Sequence, residues 1–359
     1  MRSPERRAAR GRISRRGRGF ARVLAAATVL FLAAAFPGCA PKRHKIPAGK
    51  APLIGFSMDS LVVERWQRDL DVFMRAASDL GAGLAVEVAD QDPVVQEKQV
   101  RELVEKGIDV LVIVPNDADR LSAVVKEVKA RGLPVLSYDR LVRRAGVDLY
   151  ISFDNEKVGG LMAETLVRAV PSGNYVIING ARNDYNAIML NSGMHKVLDP
   201  FVASRKLRII SEIWPSFWDS DEARTDMENV VAGNRGIDAV IAGDDMLAEA
   251  VIGVLAENRI SAKVAAQDAD LAACQRIAEG SQFATVYKPV DRLALKAAGF
   301  AVMLAKGESV ETDSTIDDGV GKVPYIRLEP VPVTKETLEA TVIRDGFHTA
   351  AEVYRNLKR

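Results

Sequence analysis

From Leu53 to Lys306 the chain alternates short apolar, β-rich runs with amphipathic stretches whose apolar residues recur every three or four positions. Two of the amphipathic stretches end at Gly81 and Gly107, as is typical of helix C-termini. The run Val110–Val114 is apolar at every position, which is typical of a parallel strand covered on both faces. Units that alternate in this way form β-α-β crossovers, so the sequence predicts an α/β protein with parallel sheets.

The stretch Tyr150–Gly160 lies near the middle of this pattern, with similar alternation on each side. It reads as the end of a strand, the polar pair Asp154-Asn155 and a helix that begins at about Glu156. We interpret it as the hinge between two lobes. Asp154 is either a ligand group at the cleft or the cap of the following helix. The cap is favoured, because many other polar residues at strand ends are available to bind a ligand.

The predicted architecture is two doubly wound, Rossmann-like lobes joined by a hinge of several strands. The first lobe is expected to contain residues 52–153 and 290–316, because the long helical stretch after residue 290 returns to it. The second lobe is expected to contain residues 154–289 and 317–348. Each lobe is large enough to bury a core of its own.

The N-terminus has the features of an export signal. An apolar run, Val23–Phe36, follows an arginine-rich start and is too short to span a bilayer comfortably. The pair Gly38-Cys39 at its end resembles the lipobox of bacterial lipoproteins. We predict that residues 1–38 are a signal peptide, that Cys39 carries a lipid and that residues 39–51 are a tether; cleavage nearby by an ordinary signal peptidase is the alternative. The protein is then periplasmic, or anchored on the extracytoplasmic face of a membrane.

The charge balance argues against nucleic acid as a partner. Residues 1–38 hold nine of the 49 basic residues and one of the 48 acidic residues, so the remaining chain has 40 basic and 47 acidic residues. A mildly acidic body lacks the basic surface that nucleic acid requires.

The residue types that serve metal, cofactor and redox chemistry are sparse. Cys274 is the only cysteine besides Cys39, so no internal disulfide framework is expected, and its helical context predicts a small buried side chain. The three histidines are scattered, without a spacing that suits a metal, and the chain has no P-loop, HExxH or GxSxG motif. We therefore expect no cofactor, no metal and no catalytic residues.

Polar side chains follow nearly every predicted strand, where an open α/β sheet presents its ligand cleft. They are Asp59, Arg65, Trp66, Asn116, Asp139, Arg140, Asp154, Asn155, Asp184, Asn186, Trp218, Asp244, Asp245, Gln267, Asp268 and Lys288. Carboxylates, amides and guanidinium groups can bond adjacent hydroxyls, and indole rings can cover the C–H face of a sugar. A phosphorylated ligand would call for more cations and a glycine-rich loop. The set therefore indicates a neutral polyhydroxylated ligand.

Five stretches resemble the periplasmic D-xylose-binding proteins of bacterial ABC transporters, a family of type I sugar-binding proteins. They are ERWQRD (64–69), VDLYISFDNEKVG (147–159), QDAD (267–270), TVYKP (285–289) and VIRDGFH (342–348). The resemblance implies a monosaccharide ligand, an ABC permease as partner and a monomeric state. It also implies sugar contacts at Arg65, Trp66, Asp139, Arg140, Asp184, Asn186, Trp218, Asp268 and Lys288, with the two tryptophans as stacking faces.

Two positions depart from that family's pattern. Asn191 stands where the family has a sugar-contacting Arg, and Asp244, which we also assign to the ligand, stands where it has Asn. These changes make one half of the site more acidic. The expected ligand is D-xylose or a related neutral pentose, and the identity of the sugar stays open.

Other functions compete with transport. The sugar-bound protein could present its ligand to a membrane sensor, which is compatible with transport. A sugar-responsive transcription regulator shares the two-lobed core, but residues 1–50 carry an export signal in place of a DNA-binding helix-turn-helix. A glycosidase would need two carboxylates that flank a bond, and the adjacent pair Asp244-Asp245 suits this poorly.

Overall fold

The computed structural model describes residues 46–47, 49–312 and 314–357. Strands and helices alternate along the first stretch of this region. In chain order they are β1 (Leu53–Met58), α1 (Glu64–Asp79), β2 (Gly83–Val88), α2 (Pro93–Glu105), β3 (Val110–Ile113), α3 (Ser122–Ala130), β4 (Val135–Tyr138) and β5 (Leu149–Phe153). The predicted signal peptide, Cys39 and most of the predicted tether lie outside the described residues.

The alternation continues after β5. The next elements are α4 (Asn155–Ala169), β6 (Gly173–Ile178), α5 (Tyr185–Ala203), β7 (Leu207–Ile213), α6 (Ser220–Gly233), β8 (Ala239–Ala242), α7 (Asp245–Glu257), β9 (Lys263–Ala265), α8 (Leu271–Glu279) and β10 (Ala284–Tyr287). The C-terminal part contains α9 (Val290–Ala305), β11 (Thr315–Asp317), β12 (Lys322–Leu328), β13 (Val331–Thr334), a π-helical turn (Glu339–Ile343) and α10 (Ala350–Val353).

The strands form two sheets, one in each lobe. The first sheet has the order β11-β12-β5-β4-β3-β1-β2, and the second has the order β13-β10-β9-β8-β6-β7. Pairing is parallel except where β11 meets β12 and where β13 meets β10. The predicted fold of two doubly wound α/β lobes is confirmed.

Strand β3 shows why these sequences fold in layers. Val110 and Val112 pack into one hydrophobic cluster, and Leu111 and Ile113 pack into another. Successive side chains of a strand point to opposite faces, so an unbroken apolar run buries both faces of the sheet under helices.

The hinge has several strands, as predicted. Within the described ranges the chain passes between the lobes three times: from β5 to α4, from β10 to α9 and from β12 to β13. Helix α9 returns to the first lobe, where Leu293, Ala297 and Ala301 join the core that contains β1 and α1.

One predicted lobe boundary is wrong. Residues 317–348 were assigned to the second lobe, but β12 pairs in parallel with β5, in the register Tyr325 with Tyr150. Residues 317–328 therefore belong to the first sheet, and the chain crosses after Leu328. The tail strands are short and follow a long loop, so the local pattern does not indicate which sheet they join.

Helix α4 begins at the hinge and packs closely on α5. The Lys157 amide donates to the Asp154 carboxylate at 3.1 Å, so Asp154 caps α4. A Cβ atom on Gly159 would lie 1.9 Å from the Leu190 carbonyl oxygen. The close approach of the two helices therefore requires glycine at this position.

Cys274 is buried in the second lobe, in agreement with its predicted role as a small apolar side chain. Over the described ranges, no helix combines the length and the apolar character needed to cross a membrane.

Candidate ligand-binding site

The ten side chains predicted to contact ligand line one cavity between the lobes. Arg65 and Trp66 lie on the first turn of α1, and Asp139 and Arg140 directly follow β4. The others follow strands of the second sheet: Asp184 and Asn186 after β6, Trp218 after β7, Asp244 after β8, Asp268 after β9 and Lys288 after β10. The cavity has an empty volume of about 330 Å³.

Arg65 is held among three carboxylates. Its Nε lies 3.0 Å from Asp69 Oδ2, its Nη2 lies 2.8 Å from Asp139 Oδ2, and its Nη1 lies 3.9 Å from Asp268 Oδ1. Burial raises the pKa of Asp69 to about 6, although Arg65 opposes the shift. Burial also acts to raise the pKa of Asp139, but Arg65, Lys288 and Arg140 outweigh it and hold that pKa below its ordinary value.

Arg140 is held in a similar way between two carboxylates. Its Nη1 lies 2.8 Å from Asp59 Oδ2, and its Nε lies 2.7 Å from Asp184 Oδ2. Asp59 also accepts a hydrogen bond of 2.6 Å from the Asn116 amide. Since all of these side chains are buried, the pairing with Asp59, which lies within the first lobe, orients the guanidinium plane.

Several of these contacts join the two lobes. The Arg140–Asp184 pair connects the end of β4 with the start of α5, and Asn186 Nδ2 donates to Asp139 Oδ1 at 3.2 Å. The lobes are thus in contact across the cavity through the same groups that line it.

Asn155, at the crossover between the lobes, holds one of these side chains in place from outside the cavity. It is buried, and its Nδ2 donates to Asn186 Oδ1 at 3.0 Å. Asn155 does not line the cavity. The hinge therefore positions Asn186, and Asp154 has the role of helix cap that the sequence analysis favours.

The end of the second sheet adds one more ion pair. Lys288 Nζ lies 2.7 Å from Asp268 Oδ1. Asp268 has a φ of 102°, and Asp139 has a φ of 59°, in the half of conformational space that side chains other than glycine rarely adopt. Such strain is often found where a backbone must aim a group into a binding site.

The two tryptophans differ in their surroundings. The Arg65 guanidinium lies 4.5 Å from the centre of the Trp66 ring, and that of Arg140 lies 5.5 Å from it. Trp218 donates from its indole N–H to Asp184 Oδ2 at 3.2 Å. The Trp218 ring lies against Gly180, where a Cβ atom would be only 2.2 Å from indole Cη2.

Two buried polar atoms of the cavity lining lack partners among the described residues. They are the Trp66 indole nitrogen and the Gln267 Oε1 atom. Gln267 is held at its other end, because its Nε2 donates to the Gly243 carbonyl at 2.9 Å. A buried donor and a buried acceptor without partners are costly, so the cavity is suited to a ligand that supplies both functions, as a hydroxyl group does.

Asn191, one of the two positions that depart from the family pattern, does not line the cavity. Its Nδ2 donates to Glu212 Oε1 at 2.8 Å and to Asn179 Oδ1 at 3.0 Å. The side chain is therefore engaged away from the ten residues.

Sequence reasoning missed several supporting residues. Asp69 was not singled out, although its spacing of four residues from Arg65 on a helix is the signal of an ion pair. Gly180 carries no local signal, because the ring that requires it lies 38 positions further along the chain. Among the described residues, no group of three or more His, Cys, Asp and Glu side chains could hold a metal ion.

Comparison with curated proteins gives two close relatives. The chain is 44% identical over 304 residues to the "D-xylose-binding periplasmic protein" of Haemophilus influenzae, and the match covers 84% of this chain and 92% of that protein. It is also 44% identical over 303 residues to the protein of the same name from Escherichia coli, with the same coverage.

Solved structures and family models agree with this relationship. An ABC transporter solute-binding protein from Clostridium phytofermentans with bound β-D-glucose superimposes with a TM-score of 0.78 at 25% identity, covering 84% of this chain and 99% of that one. Residues 54–309 match the model of the periplasmic binding protein domain. The chain belongs to the periplasmic binding protein family.

Proposed function

We propose that the protein is the extracytoplasmic solute-binding component of a sugar ABC transporter and that it binds a monosaccharide, D-xylose or a related pentose. The observation that carries this proposal is the convergence of ten polar and aromatic side chains from both lobes on one cavity. The names of the relatives that are 44% identical support the same class of ligand.

The paired charges of the cavity suit a neutral polyol. Asp139 and Asp184 are each held by a guanidinium group, which leaves oxygen lone pairs free to accept hydrogen bonds from hydroxyl groups. The unpartnered Trp66 N–H and Gln267 Oε1 supply a donor and an acceptor. Because the pairs within the first lobe, Arg65–Asp139 and Arg140–Asp59, are already oriented, these side chains lose little entropy when the sugar binds.

Closure of the lobes is the proposed mechanism. The first lobe then comprises residues 52–153 and 290–328, and the second comprises residues 154–289 and 331–348. In the open form each lobe holds part of the site; the sugar joins the parts and closure encloses it. The contacts Arg140–Asp184 and Asn186–Asp139 form at that step, and the permease recognises the closed form.

We place the protein on the extracytoplasmic side of a membrane, and the periplasmic relatives support this location. The proposal includes export by residues 1–38 and lipidation of Cys39. It does not include catalysis, because the cavity carboxylates are engaged with arginine and lysine side chains or cap helices.

A calorimetric panel tests the ligand. We expect saturable binding of one sugar per chain when the purified protein is titrated with xylose, ribose, arabinose, glucose and galactose, with the tightest binding by a pentose. Absence of heat with every sugar between pH 5.5 and pH 7.5 would refute the function, and tighter binding of glucose than of every pentose would refute the ligand class.

A further inference from the structure

Asp244 differs from the other carboxylates that line the cavity because no Arg or Lys side chain among the described residues forms an ion pair with it. Asp139 and Asp184 pair with Arg65 and Arg140, and Asp268 pairs with Lys288. Within the described residues, Asp244 forms no ion pair, although only 3% of its surface is exposed. As the cap of α7 it accepts hydrogen bonds from backbone amides, from Leu247 at 2.7 Å to Oδ1 and also from Met246, but these amides carry no net charge.

The groups that face Asp244 do not compensate for this. Asp268 faces it from the end of β9 and Lys288 from the end of β10, but these two neutralise each other. The first lobe contributes Arg65, which lies among three carboxylates.

The neighbours of Asp244 on α7 and at the start of α8 are acidic, so they cannot neutralise a negative charge on it. Asp245 turns away from the cavity and accepts hydrogen bonds from Gln282 at 2.7 Å and from Thr285 at 2.8 Å. Asp270 lies at the start of α8, and burial raises its pKa to about 9. Each neighbour therefore either repels a charge on Asp244 or is already neutral.

We propose that Asp244 carries a proton in the closed, sugar-bound protein and donates it in a hydrogen bond to an oxygen of the ligand, so that sugar binding takes up a proton near neutral pH. This inference rests on the proposed function, since it assumes a neutral sugar in the cavity.

The physical reason is the cost of enclosing a lone carboxylate. In the open form water solvates Asp244, but closure removes that water and no cation replaces it. A proton removes the charge and converts an acceptor-only group into a donor. In agreement with this, burial together with Asp268 raises the pKa of Asp244 to about 7, against the opposing effects of the Leu247 amide, Lys288 and the Met246 amide.

The sign of the pH dependence follows from this shift. The protonated form is favoured in the closed complex, so affinity is highest at low pH and falls as the pH rises toward the pKa of the complex. With a pKa of about 7 in the complex and an ordinary value of about 4 in the open form, affinity should be about 20-fold weaker at pH 7.5 than at pH 5.5. At pH 6.5 the complex should take up about three quarters of a proton.

Calorimetry in buffers of different ionisation enthalpy measures this uptake directly. The full chain is titrated at pH 6.5 in phosphate and in imidazole with the sugar that binds most tightly in the panel. We expect proton uptake by the wild type and its loss in Asp244→Asn, whose amide can donate a hydrogen bond without a proton from solution. The matched control is Asp245→Asn, since Asp245 is buried within the second lobe and does not line the cavity; it should keep the uptake.

Other outcomes separate the possible errors. Sugar binding by the wild type without proton uptake, or full uptake in Asp244→Asn, would overturn the inference and leave the proposed function standing. Affinity for an amino sugar such as glucosamine that rises with pH would overturn it as well, because Asp244 would then serve as the anionic partner of an ammonium group. If no sugar binds at any pH, the proposed function fails and the inference fails with it.

Discussion

Gly180→Ala should weaken sugar binding through Trp218, without any direct contact of its own with the ligand. The added methyl group would lie 2.2 Å from indole Cη2 and 2.3 Å from Cζ2. Since carbon atoms in contact are ordinarily about 3.5 Å apart, the ring must move by about 1.3 Å. The ring also lies close to Gly243, where an added Cβ atom would be 3.0 Å from indole Cζ3.

The expected size of the change in Kd follows from the contacts that the Trp218 ring loses when it moves. The Trp218 N–H lies 3.2 Å from Asp184 Oδ2, already at the long end of a hydrogen bond. Without this bond the indole ring is no longer held in position to stack on the sugar. Loss of a stacking ring costs about 2 kcal/mol, so we expect a rise in Kd of roughly 10- to 30-fold. Direct removal of the ring in Trp218→Ala should cost about 2 kcal/mol or more.

Calorimetry with the preferred sugar measures both effects, and a double-mutant cycle links them. In the Trp218→Ala background the clash is absent, so Gly180→Ala should have no further effect on Kd. Gly299→Ala is the matched control: it lies within α9 with no atom within 4 Å of the added Cβ, so binding should not change. A Kd for Gly180→Ala within twofold of the wild type, or an undiminished effect in the Trp218→Ala background, would refute the reasoning.

Two further predictions concern the hinge helix and the N-terminus. Gly159→Ala places a methyl group 1.9 Å from the Leu190 carbonyl oxygen, so α4 and α5 must separate; the free energy of unfolding in urea should fall by roughly 1–3 kcal/mol, and an unchanged midpoint would contradict this packing. Lipidation of Cys39 predicts a membrane-bound mature protein whose mass includes acyl chains, whereas Cys39→Ser should appear in the soluble fraction. A wild-type mature protein that starts at another residue without lipid would contradict the lipobox interpretation.

The fold and the general position of the site could be predicted because both depend on local patterns. An apolar run followed by a polar residue and a helix start, as at Phe153-Asp154, needs no knowledge of the rest of the chain. Parallel strands place such ends at one edge of a sheet, so the strand-end pattern predicts a shared cleft. The choice of nine of the ten lining residues came from the family resemblance.

The pairing within the site could not be predicted in the same way. Arg65 and Asp69 are four residues apart on a helix, but Arg65 and Asp139 are separated by 74 residues and meet only because β1 and β4 flank the same strand. The same limitation explains the error in β12, because Leu328 pairs with Phe153 of β5 across a separation of 175 positions in the sequence. Contacts between residues far apart in the sequence depend on the order of strands in the sheet, and no single segment of the sequence predicts that order.

The arrangement of charge decides which ligands the cavity can accept. Arg65 and Arg140 each form ion pairs with carboxylates from more than one element. The positive charge of each guanidinium is therefore already neutralised and attracts an anionic ligand only weakly. A sugar phosphate or a sugar acid would have to compete with Asp139 and Asp184 for these groups and would be enclosed beside Asp244 as well. A neutral sugar leaves every ion pair intact and uses the remaining lone pairs and N–H groups. We therefore expect selectivity for neutral polyols, because the cations of the cavity are already neutralised. A sugar phosphate that bound as tightly as the free sugar would show that these ion pairs open.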